Sequence, residues 1–302
     1  MKRRAFLQGV STIALWGCSN TVPSKDRHKD PLSSLPNDGL DPKVLKIAVT
    51  PSSGAHTADA FSAMVTYLAE QELASEIVVA DGYDHLEKLV NDGDVHAAIF
   101  SPLAYVKAKR NGLPATAIAT ASRSGSPTYI GYLVIRGEEL QPLEALRGKR
   151  ITWVHKSSTS GYLYPRAMLR SRGIDPDAFF ENGGFAGNHK RAMERLFKGE
   201  VDIAAVASPF VDAGASKGVI PESERVTVIA KTARIPLDCV VVHAKLKRQK
   251  ATMLRKALLD LLWDPKASRG LAEKWGSSGF VDVIQARYDE VARVYDEQAS
   301  DR

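Results

Sequence analysis

Four hydroxyl-bearing residues stand in a row at Ser157, Ser158, Thr159 and Ser160, two residues after the apolar run "RITWV" and before Gly161, two tyrosines and Pro165. Hydroxyls at a helix start accept from unpaired backbone N–H groups, and those N–H groups together with the helix dipole attract an anion. Pro165 must lie in the first turn of such a helix, because deeper inside it would remove a hydrogen bond. The cluster therefore has two uses, capping a helix or cradling a bound oxyanion. One residue suffices for a cap, so four in succession favour the oxyanion.

Nucleophilic catalysis is the competing chemistry. "STSG" departs from the G-x-S-x-G elbow, and no spacing sets His155 or His189 against a serine with an acidic partner, so a hydrolase is the weaker reading. The seven histidines are scattered without ligand-like spacing, and neither a metal nor a cofactor is expected. Cys18 and Cys239 are the two cysteines, too few for a disulfide framework; Cys239, in "CVVVH", reads as a core residue.

Strands must alternate with helices to position these groups. "VLKIAVT", "EIVVA", "HAAIF", "TAIATA", "YLVIR", "RITWV", "VDIAAVA", "VTVIA" and "CVVVH" are short and apolar, and most are rich in β-branched residues. Between them Phe61, Met64, Val65 and Leu68, or Met193, Leu196 and Phe197, recur at helical spacing. Further helices are expected around Leu254, Leu258, Leu261 and Leu262, and around Val281, Val283, Tyr288 and Val291. The alternation implies an α/β fold with mostly parallel sheets flanked by helices. "GDVHAAIFSPLAYV" from Gly93 is echoed by "GEVDIAAVASPFV" from Gly199, with Ser101 and Ser208 suited to the N-cap and Pro102 and Pro209 to the first helical position. Two similar lobes follow: residues 44–133 plus 233–302, and residues 134–232, joined by two hinge crossovers. Ligands of open α/β sheets bind beyond the carboxyl ends of strands, so the lobes would face each other across a cleft. The early loop "TPSSGAHT" offers Ser52 and Ser53 as further donors.

Residues 1–18 read as an export signal, basic and then apolar but too short to span a bilayer. "RRAFLQG" resembles the twin-arginine motif, and "LWGC" resembles a lipoprotein cleavage box that would make Cys18 the lipidated first residue. A plain cleaved secretory signal is the alternative. Residues 19–43 carry few apolar residues and four prolines, and are expected to form a disordered tether reaching roughly 25–30 Å. Without Lys2, Arg3 and Arg4 the net charge of +6 falls to +3, with no block of like charge to mark a nucleic-acid surface.

The chain resembles the periplasmic phosphate/phosphite/phosphonate-binding proteins of ABC importers. The resemblance rests on "STSGYLYP", Tyr83 after "VVADG", "GNH" with His189, "IPLD" with Asp238, and "GSPTYIGYLVIR". It implies the two-lobed type II periplasmic-binding-protein fold, a monomer that hands a small oxyanion to a permease and ATPase, and no catalytic activity. Carried over, Ser158, Thr159 and Ser160 would grip the oxyanion, Tyr83 and His189 would add donors, and Ser101 and Phe100 would complete the set at the end of the first lobe's strand. Taken without the family, His189 also suits a solvent-exposed helix start and Asp238 an ordinary strand-end carboxylate. A carboxylate beside an anion is costly unless it accepts a hydrogen bond, so Asp238 favours a ligand with an acidic P–OH, or one with an ammonium group, over a sulfonate. Phe100 stands where relatives have a tyrosine, with Tyr105 one turn on as a substitute. Ala207 and Ser208 stand where relatives place an acid or amide, and Asn188 is extra, which together weigh against an aminoalkyl phosphonate. A lipoprotein that senses its ligand for a membrane histidine kinase would share all these features.

Overall fold

The computed structural model describes residues 30–51, 57–213 and 219–300. The export signal, Cys18, residues 19–29, Ser52 and Ser53 lie outside them.

The first sheet is assembled from β1 (Leu45–Val49), β2 (Ser75–Val79), β3 (Ala97–Phe100) and β4 (Ala115–Ser122), with α1 (Thr57–Ala60), α2 (Ser62–Glu70), α3 (Tyr83–Asp92) and α4 (Pro102–Arg110) between them. The chain then builds a second sheet from β5 (Thr128–Arg136), β6 (Arg150–Trp153), β7 (Glu181–Phe185), β8 (Ile203–Ala207) and β9 (Val226–Pro236). Its helices are α5 (Tyr164–Ser171), α6 (Pro176–Phe179), α7 (His189–Phe197) and α8 (Pro209–Asp212). β10 (Cys239–His243) and β11 (Gly279–Val281) return to the first sheet, with α9 (Arg248–Leu261), α10 (Pro265–Lys274) and α11 (Gln285–Ser300).

The strand orders are β11-β4-β10-β3-β1-β2 and β7-β6-β8-β5-β9. Both sheets are mixed rather than mostly parallel: β1 runs parallel to β2 and β3, while β10 is antiparallel to β3 and β4. In the second sheet β6 is parallel to β7 and β8, while β5 is antiparallel to β8 and β9. β5 and β10 are the strands by which the chain enters each lobe from a crossing, and both run against the βαβ strands beside them, while β11 at the edge of the first sheet is also antiparallel to β4. The crossings fall at residues 123–127 and 237–238, so β5 already belongs to the second sheet ahead of the expected boundary at 133/134.

All nine expected strands form. β7 and β11 escaped notice because glycine occupies positions that an apolar pattern would fill. Val281 lies in β11 and Val283 in the following loop, so the last helix starts only at Gln285. The echoed segments fold alike: Gly93 (φ +78°) and Gly199 (φ +70°) turn the chain in the left-handed region, and the strands that follow are wholly buried. Ser101 and Ser208 precede prolines at the helix starts, yet neither hydroxyl makes a capping hydrogen bond.

The expected tether is overturned over its C-terminal part. Leu32 and Leu35 are each 2% exposed and pack into the first lobe's core. Leu40 exchanges backbone hydrogen bonds with Lys245 and Lys247, Arg248 N–H donates to Pro36 O, and Asp41 pairs with Lys247 and Lys250. Two leucines three residues apart supply enough apolar surface to hold the segment, although its average composition suggests disorder.

Candidate functional site

The carboxyl ends of β1, β2, β3, β6 and β8 open on one cleft of about 690 Å³ between the lobes. Tyr83, Ser101, Ser158, Thr159, Ser160, His189 and Asp238 all line it.

The hydroxyl run divides. Ser157 faces away from the cleft, where its Oγ accepts from Lys107 Nζ at 2.9 Å. Ser158 Oγ accepts from Gly161 N at 3.0 Å, Thr159 Oγ1 from Leu103 N at 2.9 Å, and Ser160 Oγ from Tyr129 Oη at 3.2 Å. Each of the three cleft hydroxyls thus has a protein donor filling one acceptor position and keeps its own O–H to donate. Residues Thr159–Leu163 form one wide turn ahead of α5, with Leu163 N–H reaching back to Ser158 O at 3.1 Å and Pro165 in the first turn of the helix. The turn has room for glycine alone at position 161, where a Cβ would lie 2.5 Å from Val154 Cγ2. The Leu103 amide at the start of α4 ties this second-lobe loop to the first lobe.

His189 opens α7, capped by Asn188, whose Oδ1 accepts from Arg191 N at 2.9 Å. Asn188, extra by comparison with relatives, is therefore a helix cap. His189 Nδ1 accepts from Ala207 N at 3.2 Å and the ring stacks on Phe210 at 4.9 Å. Burial, aided by the Arg123 charge, lowers its pKa from 6.5 to about 4, so the neutral ring keeps Nε2–H as its donor. Burial and the nearby Asp238 push the Tyr83 hydroxyl up to about 12, leaving it a protonated donor. Burial raises the Asp238 carboxyl from 3.8 to about 6, with Arg123 pulling the other way.

Phe100 does not line the cleft: its side chain is wholly buried in the first lobe's core with Tyr105, which packs edge-on against Tyr288 at 5.5 Å. The strand ends with Phe100 turned inward, so Ser101 is the residue that reaches the cleft. Ala207 lines the cleft and contributes only its amide, to His189.

Arg123 and Tyr129 are cleft residues that the sequence reading passed over. Both flank the first crossing, and the signal was present: Arg123 is a lone charge between the apolar β4 and β5 segments. Phe210 and Trp275, also on the cleft wall, carry no local signal, because aromatic residues there read equally well as core.

A family model described as "ABC transporter, phosphonate, periplasmic substrate-binding protein" matches residues 47–288. The chain belongs to this family. It is 29% identical over 213 residues to the "Phosphate-import protein PhnD" of Mycolicibacterium smegmatis, covering 68% of the chain and 63% of that relative's length. Among solved structures it is similar to PhnD1 from Prochlorococcus marinus in complex with methylphosphonate, with a TM-score of 0.74, 17% identity and coverage of 86% of this chain and 99% of that one. XAC2383 from Xanthomonas citri bound to ATP has a TM-score of 0.69 at 19% identity, covering 84% of this chain and 99% of that one. These neighbours share the two-lobed mixed α/β fold. No helix among the described residues is long and apolar enough to cross a membrane.

Proposed function

We propose that the protein is the solute-binding component of an ABC importer and captures a phosphorus oxyanion (phosphonate, phosphite or phosphate) in the cleft between its lobes. The observation that carries this reading is the row of three cleft hydroxyls whose acceptor sides are taken by protein donors, set beside a carboxyl held near pKa 6. Ser158, Thr159, Ser160, Tyr83 and His189 each offer a proton to the oxyanion. Ionised Asp238 accepts from the ligand's P–OH, a hydrogen bond for which a sulfonate has no proton. Charge-assisted hydrogen bonds contribute roughly 1.5–3 kcal/mol each against an association cost of about 4–15 kcal/mol, so five or six donors suit a micromolar complex.

Delivery to a permease and ATPase, attachment by lipid at Cys18 and function as a monomer belong to the same reading. Catalysis does not. His155 and His189 both use Nδ1 to accept backbone amides, from Ser157 and Ala207, which leaves no serine activated through those atoms.

A thermal-shift panel tests the ligand class with phosphate, phosphite, methylphosphonate, 2-aminoethylphosphonate, sulfate and taurine. Stabilisation that grows with the logarithm of ligand excess is expected for a phosphorus oxyanion. Stabilisation by taurine or sulfate with no response to any phosphorus compound refutes it.

A further inference from the structure

Among the described residues Arg123 is the one arginine lining the cleft, and its backbone is held firmly. Arg123 and Ser126 exchange both backbone hydrogen bonds, at 2.9 and 2.8 Å, across a two-residue turn in which Ser124 (φ +47°) and Gly125 (φ +80°) both have positive φ. Ser124 N–H is fixed in turn by Ser278 Oγ at 3.0 Å.

The guanidinium contrasts with this. Nε and Nη1 are shielded from solvent and have no hydrogen-bond partner. A shielded donor left unmade costs free energy, and more so when it is charged. Nε and Nη1 lie on different edges of the guanidinium, so each is open to its own acceptor oxygen, and a phosphoryl group or carboxylate is the acceptor that such a charged planar donor favours. The carboxylates that line the cleft do not fill that role: Asp81 and Glu273 are exposed, and Asp238 acts on Arg123 through its field without a hydrogen bond to those two nitrogens. Of the other neighbours on the cleft wall, Tyr83, Tyr129 and His189 are neutral donors, and Lys190 and Lys274 are further cations.

From this geometry we infer that Arg123 is a ligand-binding and charge-selecting residue: its open guanidinium nitrogens take oxygens of the oxyanion, so the cleft favours phosphorus oxyanions without a cationic group and rejects those that carry an ammonium group. This rests on the proposed oxyanion site. An ammonium in the cleft would meet a fixed cation. Asp238 is its one half-buried carboxylate partner, and that group already lies in the field of Arg123. His189, Ala207, Phe210 and Trp275 offer no second anion.

Calorimetry of the full-length protein and of Arg123→Met and Arg123→Lys, with methylphosphonate and 2-aminoethylphosphonate, tests this. Wild-type protein should bind methylphosphonate at least about tenfold more tightly than the amino compound. Arg123→Met should lose about 10- to 100-fold for methylphosphonate, the loss of a charge-assisted pair, and bring the two ligands within about threefold. Arg123→Lys, a point charge without the planar donor, should fall between. Because the orphaned nitrogens support no contact in the fold, Arg123→Met should melt at the wild-type temperature or above. Wild-type affinity for methylphosphonate in Arg123→Met, or an unchanged ligand ratio, overturns the role of Arg123 while leaving the oxyanion site standing. A clear drop in the melting temperature of either variant assigns Arg123 to the fold and overturns it too. Wild-type protein that binds neither phosphonate nor phosphate overturns both.

Discussion

Asp238→Asn keeps the size of the side chain and removes a charge that the folded protein holds at a cost. Burial lifts this carboxyl from the ordinary 3.8 to about 6 even with Arg123 pulling downward. At about 1.4 kcal/mol for each tenfold change in an equilibrium, ionised Asp238 weakens the ligand-free fold by up to about 3 kcal/mol; solvent on the open side of the cleft trims this to about 1–3 kcal/mol. The folded state binds the proton more tightly than the unfolded chain, so Asp238 lowers stability as pH rises from about 4 to 6 and keeps it low above that. Asp238→Asn should therefore exceed the wild type by that margin at pH 8, and the margin should close by pH 4. His189 has the opposite slope: the unfolded chain takes up a proton below 6.5, whereas the folded ring does so only near 4, so stability is lost as pH falls through that window. In wild-type protein these two slopes offset each other, and in Asp238→Asn the histidine slope is no longer offset by the carboxyl. Urea unfolding of both ligand-free proteins at pH 8, 6 and 4, with equal m-values, measures the difference. A variant no more stable than wild type at pH 8, or a margin that persists unchanged at pH 4, refutes the reasoning.

The loop offers sharper distinctions between binding and folding. Ser158→Ala removes the acceptor for Gly161 N–H and should cost about 0.5–2 kcal/mol, whereas Thr159→Ala strands the Leu103 amide between the lobes and should cost about 1–3 kcal/mol. Both should weaken methylphosphonate binding in calorimetry, and undiminished affinity in both would remove these hydroxyls from the site. Gly161→Ala puts a Cβ 2.5 Å from Val154 Cγ2 and should lose about 1–3 kcal/mol by overpacking, together with binding; a variant that melts and binds like wild type shows that the loop gives way without loss. Leu35→Ala should destabilise by about 2–5 kcal/mol in urea unfolding while leaving affinity unchanged, and a neutral result would return residues 31–41 to the tether.

Much of the cleft was legible because chemistry there is concentrated in short runs. The hydroxyl run, the histidine after "GN" and the aspartate after "IPL" can be named from local pattern and family resemblance, and all line one cavity. Phe100 and Ser101 were both expected in the site, and only Ser101 lines the cleft. Strand alternation sends Phe100 into the core and the next residue, Ser101, towards the cleft, and a single strand read alone does not reveal which parity faces which way. Arg123 was missed for a different reason, since a lone charge in a crossover looks like solvated surface until the fold shields its nitrogens.

The sequence by itself determined the strands and most helices, through apolar periodicity and β-branched runs, and it determined which residues could donate to an anion. The tertiary structure decided which donors remain free. Ser157 is taken up by Lys107 from a helix fifty residues earlier, and Thr159 is held by the Leu103 amide across the two lobes. It also decided the direction of β10, and with it the mixed sheets, and the fate of residues 31–41, which fold because α9 and the strand before it offer a surface to cover. These outcomes depend on groups brought together from distant positions in the chain, and the energy of such meetings is not written in any one segment.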